Sequence, residues 1–315
     1  MKRVILAAPR GYCAGVDRAV QMVERALDTL GPPIYVRKEI VHNRHVVGEL
    51  EKRGAVFVES EEEIPEGAVC VFSAHGVSPA VRANATARNL QVIDATCPLV
   101  TKVHLEAKRF ARDGRKIVLV GHEGHEEIEG TSGEAPDSTV VIESVEQLDK
   151  LDLDPHQPIA YLTQTTLSVD DTLKVVEALR ERFSDIQGPR SDDICYATQN
   201  RQVAVKALAP ECDVVLVVGA LNSSNSNRMV EVARAAGTPA YLVPDESYLE
   251  KSWLDDVETV GVSSGASAPE VLVDRLLAKL ADFGFDTVEV MEVTTEDVTF
   301  SLPPWLRPSA SAIST

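Results

Sequence analysis

The sequence predicts an α/β protein built from three small parallel-sheet domains, arranged as a pseudo-threefold trefoil around a central site. Two observations carry that expectation. Cys13, Cys97 and Cys195 divide the 315-residue chain into thirds, and each is expected where an apolar strand gives way to a helical pattern. In every third the same order then recurs: an apolar strand-like run, a few small polar residues or histidines, and an amphipathic run. Strand, polar turn and helix together make the unit of a parallel sheet, whose ligands gather at the carboxyl ends of the strands. A period this long is no solenoid repeat.

The elements can be justified in order. MKRVILAAPRGYC opens with a strand-like run whose apolar core of about five residues is shorter than a signal-peptide core of 7–15, which predicts a first strand in a cytoplasmic protein. After Cys13, Val16, Val20, Val23, Leu27 and Leu30 recur at helical spacing, and Gly31-Pro32 ends the run. The run IYVRKEIV leads into His42, and VCVFS leads into His75. After Cys97, Pro98 suits the first helical position, Val100, Val103, Ala107 and Phe110 extend one face, and Gly114 closes it. KIVLVG leads into His122 and His125, and IAYL into Thr163-Gln164-Thr165-Thr166. After Cys195 the helical run ends at Pro210; DVVLVVGA then leads into Asn222-Ser223-Ser224-Asn225-Ser226, and VETVGV into Ser263 to Ser267. The second polar cluster lies 28 or 29 residues after each cysteine, and the third lies 62, 68 and 72 residues after. These landmarks give domains at 14–96, 97–194 and 195–281, with residues 1–13 adding a strand to the third. The tail, 282–315, carries strand-like VEVMEV and VTFSL, and its last eight or so residues read as disordered.

Composition narrows the function. A net charge of −18 argues against nucleic acid, which calls for a basic face. It leaves room for a small anion, because local cations and helix N-termini can outweigh a distant acidic surface. No apolar run approaches the roughly 20 residues that span a bilayer. Five cysteines in a long chain read as cytosolic do not suggest a disulfide framework, which leaves metal or catalytic use.

A thiol at a helix N-terminus meets free N–H groups and the positive end of the dipole, which favour the thiolate. Three such thiolates meeting at one point would form a soft metal site with room for one more ligand. Zinc with Cys13, Cys97, Cys195 and one histidine is one occupant, although no paired C-x₂₋₄-C spacing is present. An iron–sulfur cluster accepts widely spaced cysteines and is favoured on spacing. Cys70 and Cys212 lie in or beside apolar runs and read as buried, inert thiols. His42, His75 and His125 occupy strand ends, whereas His45, His104 and His156 carry no site role and His122 is ambiguous. Thr165, Ser223, Ser224, Asn225 and Ser267 can each be a simple helix cap. Converging with histidines, they would instead make a diphosphate pocket. No P-loop or dinucleotide glycine pattern is present. Glu127 and Glu129 follow His125, and a carboxylate there is the best candidate to supply protons. Three function classes follow: an iron–sulfur enzyme on a small diphosphate, a Cys₃-zinc hydrolase or lyase, and a non-catalytic iron–sulfur phosphometabolite sensor.

The stretches PRGYCAGVDRAV, VRKEIVHNRHVV, SAHGVSP, IDATCPLVTKVH, GHEGHEEIEGTSG, LTQTTLS, ICYATQNRQ, NSSNSNR and SSGASAPE closely resemble the IspH/LytB family of 4-hydroxy-3-methylbut-2-enyl diphosphate reductases. The resemblance runs to about residue 302. It implies a 4Fe–4S cluster held by Cys13, Cys97 and Cys195 with one open iron, and diphosphate contacts from His42, His75 and His125. It further implies that Ser223, Ser224, Asn225 and Ser267 complete that pocket, with Thr165 and Glu127 in proton-relay positions. The expected reaction yields isopentenyl and dimethylallyl diphosphate, with electrons from a donor of the ferredoxin or flavodoxin type. The family pattern often has proline between the last histidine and the relay glutamate; here Glu126 stands there and adds a negative charge.

Overall fold

The computed structural model describes residues 2–307. It contains three parallel sheets with one internal strand order. In the first, β2 (Ile34–Arg37), β3 (Ala55–Val58), β4 (Val69–Phe72) and β5 (Gln91–Asp94) lie in the order β3-β2-β4-β5. In the second, β6 (Lys116–Val120), β7 (Thr139–Ile142), β8 (Ile159–Thr163) and β9 (Ile186–Gln187) repeat it as β7-β6-β8-β9. The third places β1 (Arg3–Ala8) in the fourth position, beside β10 (Val214–Val218), β11 (Ala240–Val243) and β12 (Thr259–Ser264), and adds β13 (Thr287–Glu292) at the edge: β11-β10-β12-β1-β13. The chain therefore begins with the strand that completes the last unit. The expected pseudo-threefold architecture is what forms.

Three helices open the units: α1 (Ala14–Leu30), α4 (Pro98–Arg112) and α7 (Tyr196–Leu208). The others follow strands: α2 (Arg44–Lys52), α3 (Pro79–Ala87), α5 (Glu126–Gly133), α6 (Val169–Arg182), α8 (Ser224–Ala235) and α9 (Glu270–Ala281). α1 stops where the sequence said it would, at Gly31 with φ +78°, a conformation a side chain would strain.

Each sheet is buried on both faces, which explains why its strands read as continuous apolar runs rather than alternating ones. Along β10, Val214, Leu216 and Val218 face one core while Val215 and Val217 face another. β6 divides likewise, Val118 and Val120 from Ile117 and Leu119. In the first sheet Ile34, Val36 and Val71 face α1, and Cys70 and Phe72 pack on the reverse side.

Two expectations need correction. VTFSL forms no strand: Leu302 and Leu306 instead pack into the core under α1, and Arg18 donates to the Ser301 carbonyl (3.2 Å). A strand-like run needs a free sheet edge, and this one reaches a helix first. Second, β9 is only two residues long and ends eight residues before Cys195, so no long strand runs into that cysteine. The reading of the final residues falls on positions 308–315, outside the described part.

Candidate active site

Cys13, Cys97 and Cys195 are the N-caps of α1, α4 and α7. The Cys13 and Cys195 sulfurs accept from the Val16 N–H (3.5 Å) and the Thr198 N–H (3.4 Å). Backbone bonds place all three equivalently. The N–H of each cysteine donates to a carbonyl in the loop after a third-position strand: Cys97 to Ala74 (3.0 Å), Cys195 to Thr165 (3.1 Å) and Cys13 to Ala266 (3.2 Å). Those loops carry His75, Thr165 and Ser267, so each sulfur is tied to a second candidate residue.

The three cysteines meet at one cavity of about 100 Å³, which His42, His75, His125, Glu127, Thr165, Ser223, Ser224, Asn225 and Ser267 also line. Every site residue expected from the sequence is therefore in one place. The imidazoles form a cluster: His42 stacks on His75 with centroids 4.1 Å apart, and His125 stands edge-on to both at 5.4 and 5.6 Å. His42 precedes α2, whose N-cap is Asn43, while His125 is itself the N-cap of α5, its Nδ1 accepting from the Glu127 N–H (3.1 Å). Ser223 caps α8, Ser224 donates to the Thr166 carbonyl (3.4 Å), and Ser267 donates to the His42 carbonyl (3.0 Å). Asn225 is buried with its Oδ1 unpartnered and only the Met229 sulfur near its amide nitrogen (3.7 Å), which leaves its polar end for a guest.

Glu127 is 2% exposed. Its two oxygens accept from the Thr165 N–H (2.6 Å) and hydroxyl (2.9 Å). Burial outweighs these bonds and raises the carboxyl to about 7. A carboxylic acid half-protonated near neutrality, touching a threonine hydroxyl in a cavity, is suited to proton transfer.

In a mononuclear tetrahedral zinc site, sulfurs sit about 3.8 Å apart, from a Zn–S bond near 2.3 Å. Among the described residues the three sulfurs do not all lie within 4.8 Å of one another. That spacing suits a polynuclear core better than a single ion. A Cβ on Gly15 would stand 2.7 Å from the Cys97 sulfur and 3.8 Å from that of Cys13, so the glycine keeps their shared space open. The N–H groups at the helix ends draw the Cys97 and Cys195 thiols down, as expected, but burial outweighs them. Burial pushes Cys97 up to about 12 and Cys195 to about 11, with charge on the neighbouring sulfurs adding to it. A cationic core would supply what the dipoles do not.

The remaining histidines take structural places. His104 is buried against Gly76 and Gly130 with Nδ1 2.9 Å from Glu134, and His122 turns toward Glu143. Cys70 and Cys212 are held near 12 by burial. Sequence reading missed the groups behind the site. Glu39 lies 2.9 Å from His42 Nδ1 and accepts from the Asn222 amide (2.9 Å); its spacing of three residues before His42 was the available signal. Fully buried Arg201, on the Cys195 helix, donates to Gly11 in the Cys13 loop (2.7 Å) and to Glu296 of the tail (2.9 Å).

The LytB protein family model matches residues 4–281. The reductases named 4-hydroxy-3-methylbut-2-enyl diphosphate reductase 1 of Mycobacterium bovis and 2 of Mycobacterium tuberculosis are each 61% identical over 307 residues, 97% of this chain and 92% of theirs. Among solved structures, the E-1-hydroxy-2-methyl-but-2-enyl-4-diphosphate reductase from Plasmodium falciparum matches with a TM-score of 0.94 at 39% identity, covering 97% of this chain and 96% of that one. A second, the (E)-4-hydroxy-3-methyl-but-2-enyl diphosphate reductase described as the terminal enzyme of the non-mevalonate pathway, matches at 0.64 and 30%, covering 90% and 100%. From its first strand to its last long helix, and with the fold of those solved reductases, this chain belongs to the LytB protein family, a family of iron–sulfur enzymes.

Proposed function

We propose that this chain reduces 4-hydroxy-3-methylbut-2-enyl diphosphate to isopentenyl and dimethylallyl diphosphate, the last step of the non-mevalonate isoprenoid pathway. The observation that carries the reading is one cavity with three helix-capping cysteines on one side and a histidine cluster beside a half-protonated glutamate on the other. Cys13, Cys97 and Cys195 would hold a 4Fe–4S cluster, which supplies electrons one at a time and an iron free of cysteine as a Lewis acid.

The rest of the work falls to the chain's own side chains. His42, His75 and His125, with Ser223, Ser224, Asn225, Ser267 and the N-terminus of α8, bind the diphosphate and so fix where the C4 hydroxyl lies. Glu127 passes a proton through the Thr165 hydroxyl to that oxygen, which leaves as water when the C–O bond breaks. Two electrons and a second proton, added at either end of the allylic system, complete the balance and give the two products. Burial of Glu127 keeps its acid form populated near neutral pH, and the Thr165 N–H fixes its direction.

The reducing partner is of the ferredoxin or flavodoxin type, and the protein is cytoplasmic, where its five unpaired thiols stay reduced. Residues 14–96, 97–194 and 195–281 act as three domains closing on one guest, with 1–13 completing the third sheet and 282–315 as the tail. The test is anaerobic purification with iron and acid-labile sulfide analysis, followed by turnover of the diphosphate with a reduced donor. Iron, sulfide and both products are expected. A zinc-loaded, colourless protein, or a clustered one without turnover, would overturn the reading.

A further inference from the structure

The cavity is set to receive an anion of several negative charges, yet among the described residues no lysine or arginine lines it. Positive charge has to come from helix N-termini and from histidines that gain a proton. The three rings differ in readiness. His125 accepts the Glu127 N–H at Nδ1, so its neutral form carries its proton on Nε2 and already offers a donor to the cavity. His75 is the reverse. Its Nδ1 faces both Glu126 Oε2 and the Ser73 hydroxyl oxygen at 3.4 Å, and that hydroxyl spends its proton on the same carboxylate oxygen at 3.2 Å. An ionised carboxylate only accepts, so the neutral His75 ring holds its proton on Nδ1 and leaves Nε2 bare. A bare Nε2 repels a phosphate oxygen; a second proton there makes it a charge-assisted donor.

We propose that Glu126 is a positioning residue and counter-ion for His75, and that diphosphate binding is coupled to uptake of a proton from solvent onto His75 Nε2. This rests on the reading of the cavity as a diphosphate pocket. The charged and titratable groups around the ring are His42 stacked on it, His125 edge-on, Glu39 behind His42, and Glu126 with Glu127 at the start of α5. Burial and the nearby His42 push His75 down, which favours its neutral form. Burial alone would raise Glu126, but the hydrogen bonds it accepts from the His75 ring and the Ser73 hydroxyl hold it below the usual carboxylate range, so it stays ionised. With His75 neutral, Glu126 works against an incoming anion. With His75 protonated, the pair is neutral and Nε2 donates. The residue standing where the family often has proline thereby makes affinity depend on pH.

The test is calorimetric titration of the anaerobic, cluster-loaded protein with isopentenyl diphosphate, from about pH 6.5 to about pH 9, where the ester's terminal phosphate (second pKa near 6) is largely ionised. Buffers of different ionisation enthalpy count the protons. The unaltered protein should take up about one proton per ligand above neutrality, its association constant falling about tenfold per pH unit. Glu126→Gln should lose most of that uptake, bind about tenfold more weakly near pH 7, and meet or cross the parent curve at high pH. Glu126→Asp should restore the slope, which a merely structural role would not predict. Buffer-independent heats in the parent, or an unchanged slope in Glu126→Gln, would overturn the proposal while leaving the pocket intact. Failure of the clustered parent to bind the ester at all would overturn the pocket reading and this inference together.

Discussion

The cysteine side and the histidine side of the cavity are built from the same parts and meet the same obstacle with opposite signs. Both place their side chains at strand ends and helix N-termini. Burial pushes both toward neutrality: it raises Cys97 to about 12 and Cys195 to about 11, and lowers His125 to about 3. Yet a thiol is useful here only after losing its proton, and a diphosphate-binding imidazole gains most by acquiring one. The site therefore resists, on each side, the charge it needs there. Its ionised form is completed by guests, a cationic core against the sulfurs and an anion against the rings. Between them Glu127, near 7, is poised to change charge at ordinary pH.

The strongest way to break this comparison is to remove a sulfur. Cys97→Ser should abolish iron retention and reduce turnover to background, because a hydroxyl so buried does not ionise for the metal. Cys70→Ala and Cys212→Ala, which alter thiols packed in sheet cores, should keep both iron and rate at some cost in stability. Iron and sulfide content with EPR of the reduced protein checks all three. Equal loss in Cys70→Ala would remove the distinction between ligand and core thiols.

Removing the proton source should come next in size. Glu127→Gln keeps the shape and one acceptor for the Thr165 N–H but carries no transferable proton, so kcat should fall about 10²–10⁴-fold with KM little changed. Steady-state kinetics under argon decides it, and a near-normal kcat would take Glu127 off the proton path.

How much of this was legible in the sequence follows from what a sequence records. β-Branched runs such as VVLVV, cut off by small polar residues, encode strands buried on both faces and their ends, so the trefoil and the cysteine caps could be read. Burial is a property of the assembled fold, so the sequence shows the helix ends that favour the thiolate but not the desolvation that opposes them. Glu126 was read only as an added charge, because its partner His75 lies 51 residues earlier and on another unit. Arg201 and Glu296 were invisible for the same reason, being joined across 95 residues. VTFSL misled because alternation describes a strand's faces and says nothing of whether a sheet edge is free to receive it.

A smaller effect sharpens the role of Glu127 through its titration. The donor must be protonated to act, and its carboxyl is raised to about 7 by burial. The active fraction is then complete well below that value and falls as pH rises through it. With chemistry rate-limiting, kcat should drop about tenfold per pH unit on the alkaline side, with an apparent pKa near 7. The Glu127→Gln profile should be flat across the same range. A parent profile with no inflection between about pH 6 and about pH 8 would place the proton elsewhere.

The smallest expected effect separates charge from neutral lining on the anion side. Ser224 opens α8 with its hydroxyl donating, at 3.4 Å, to the Thr166 carbonyl, a long bond that a better acceptor can take over. An arriving phosphate oxygen is such an acceptor, so the hydroxyl turns to it without any change in ionisation. Ser224→Ala removes that one donor and leaves the helix N–H groups and the rings in place. The loss is that of an ordinary hydrogen bond, ~0.5–1.5 kcal/mol, which raises KM about threefold to tenfold with kcat unchanged. Because no proton is exchanged there, the penalty should be the same at every pH, unlike that of Glu126→Gln. A Ser224→Ala penalty that grew or shrank with pH would mean that the hydroxyls and the histidines titrate as one network, and the two kinds of anion contact would no longer be separable.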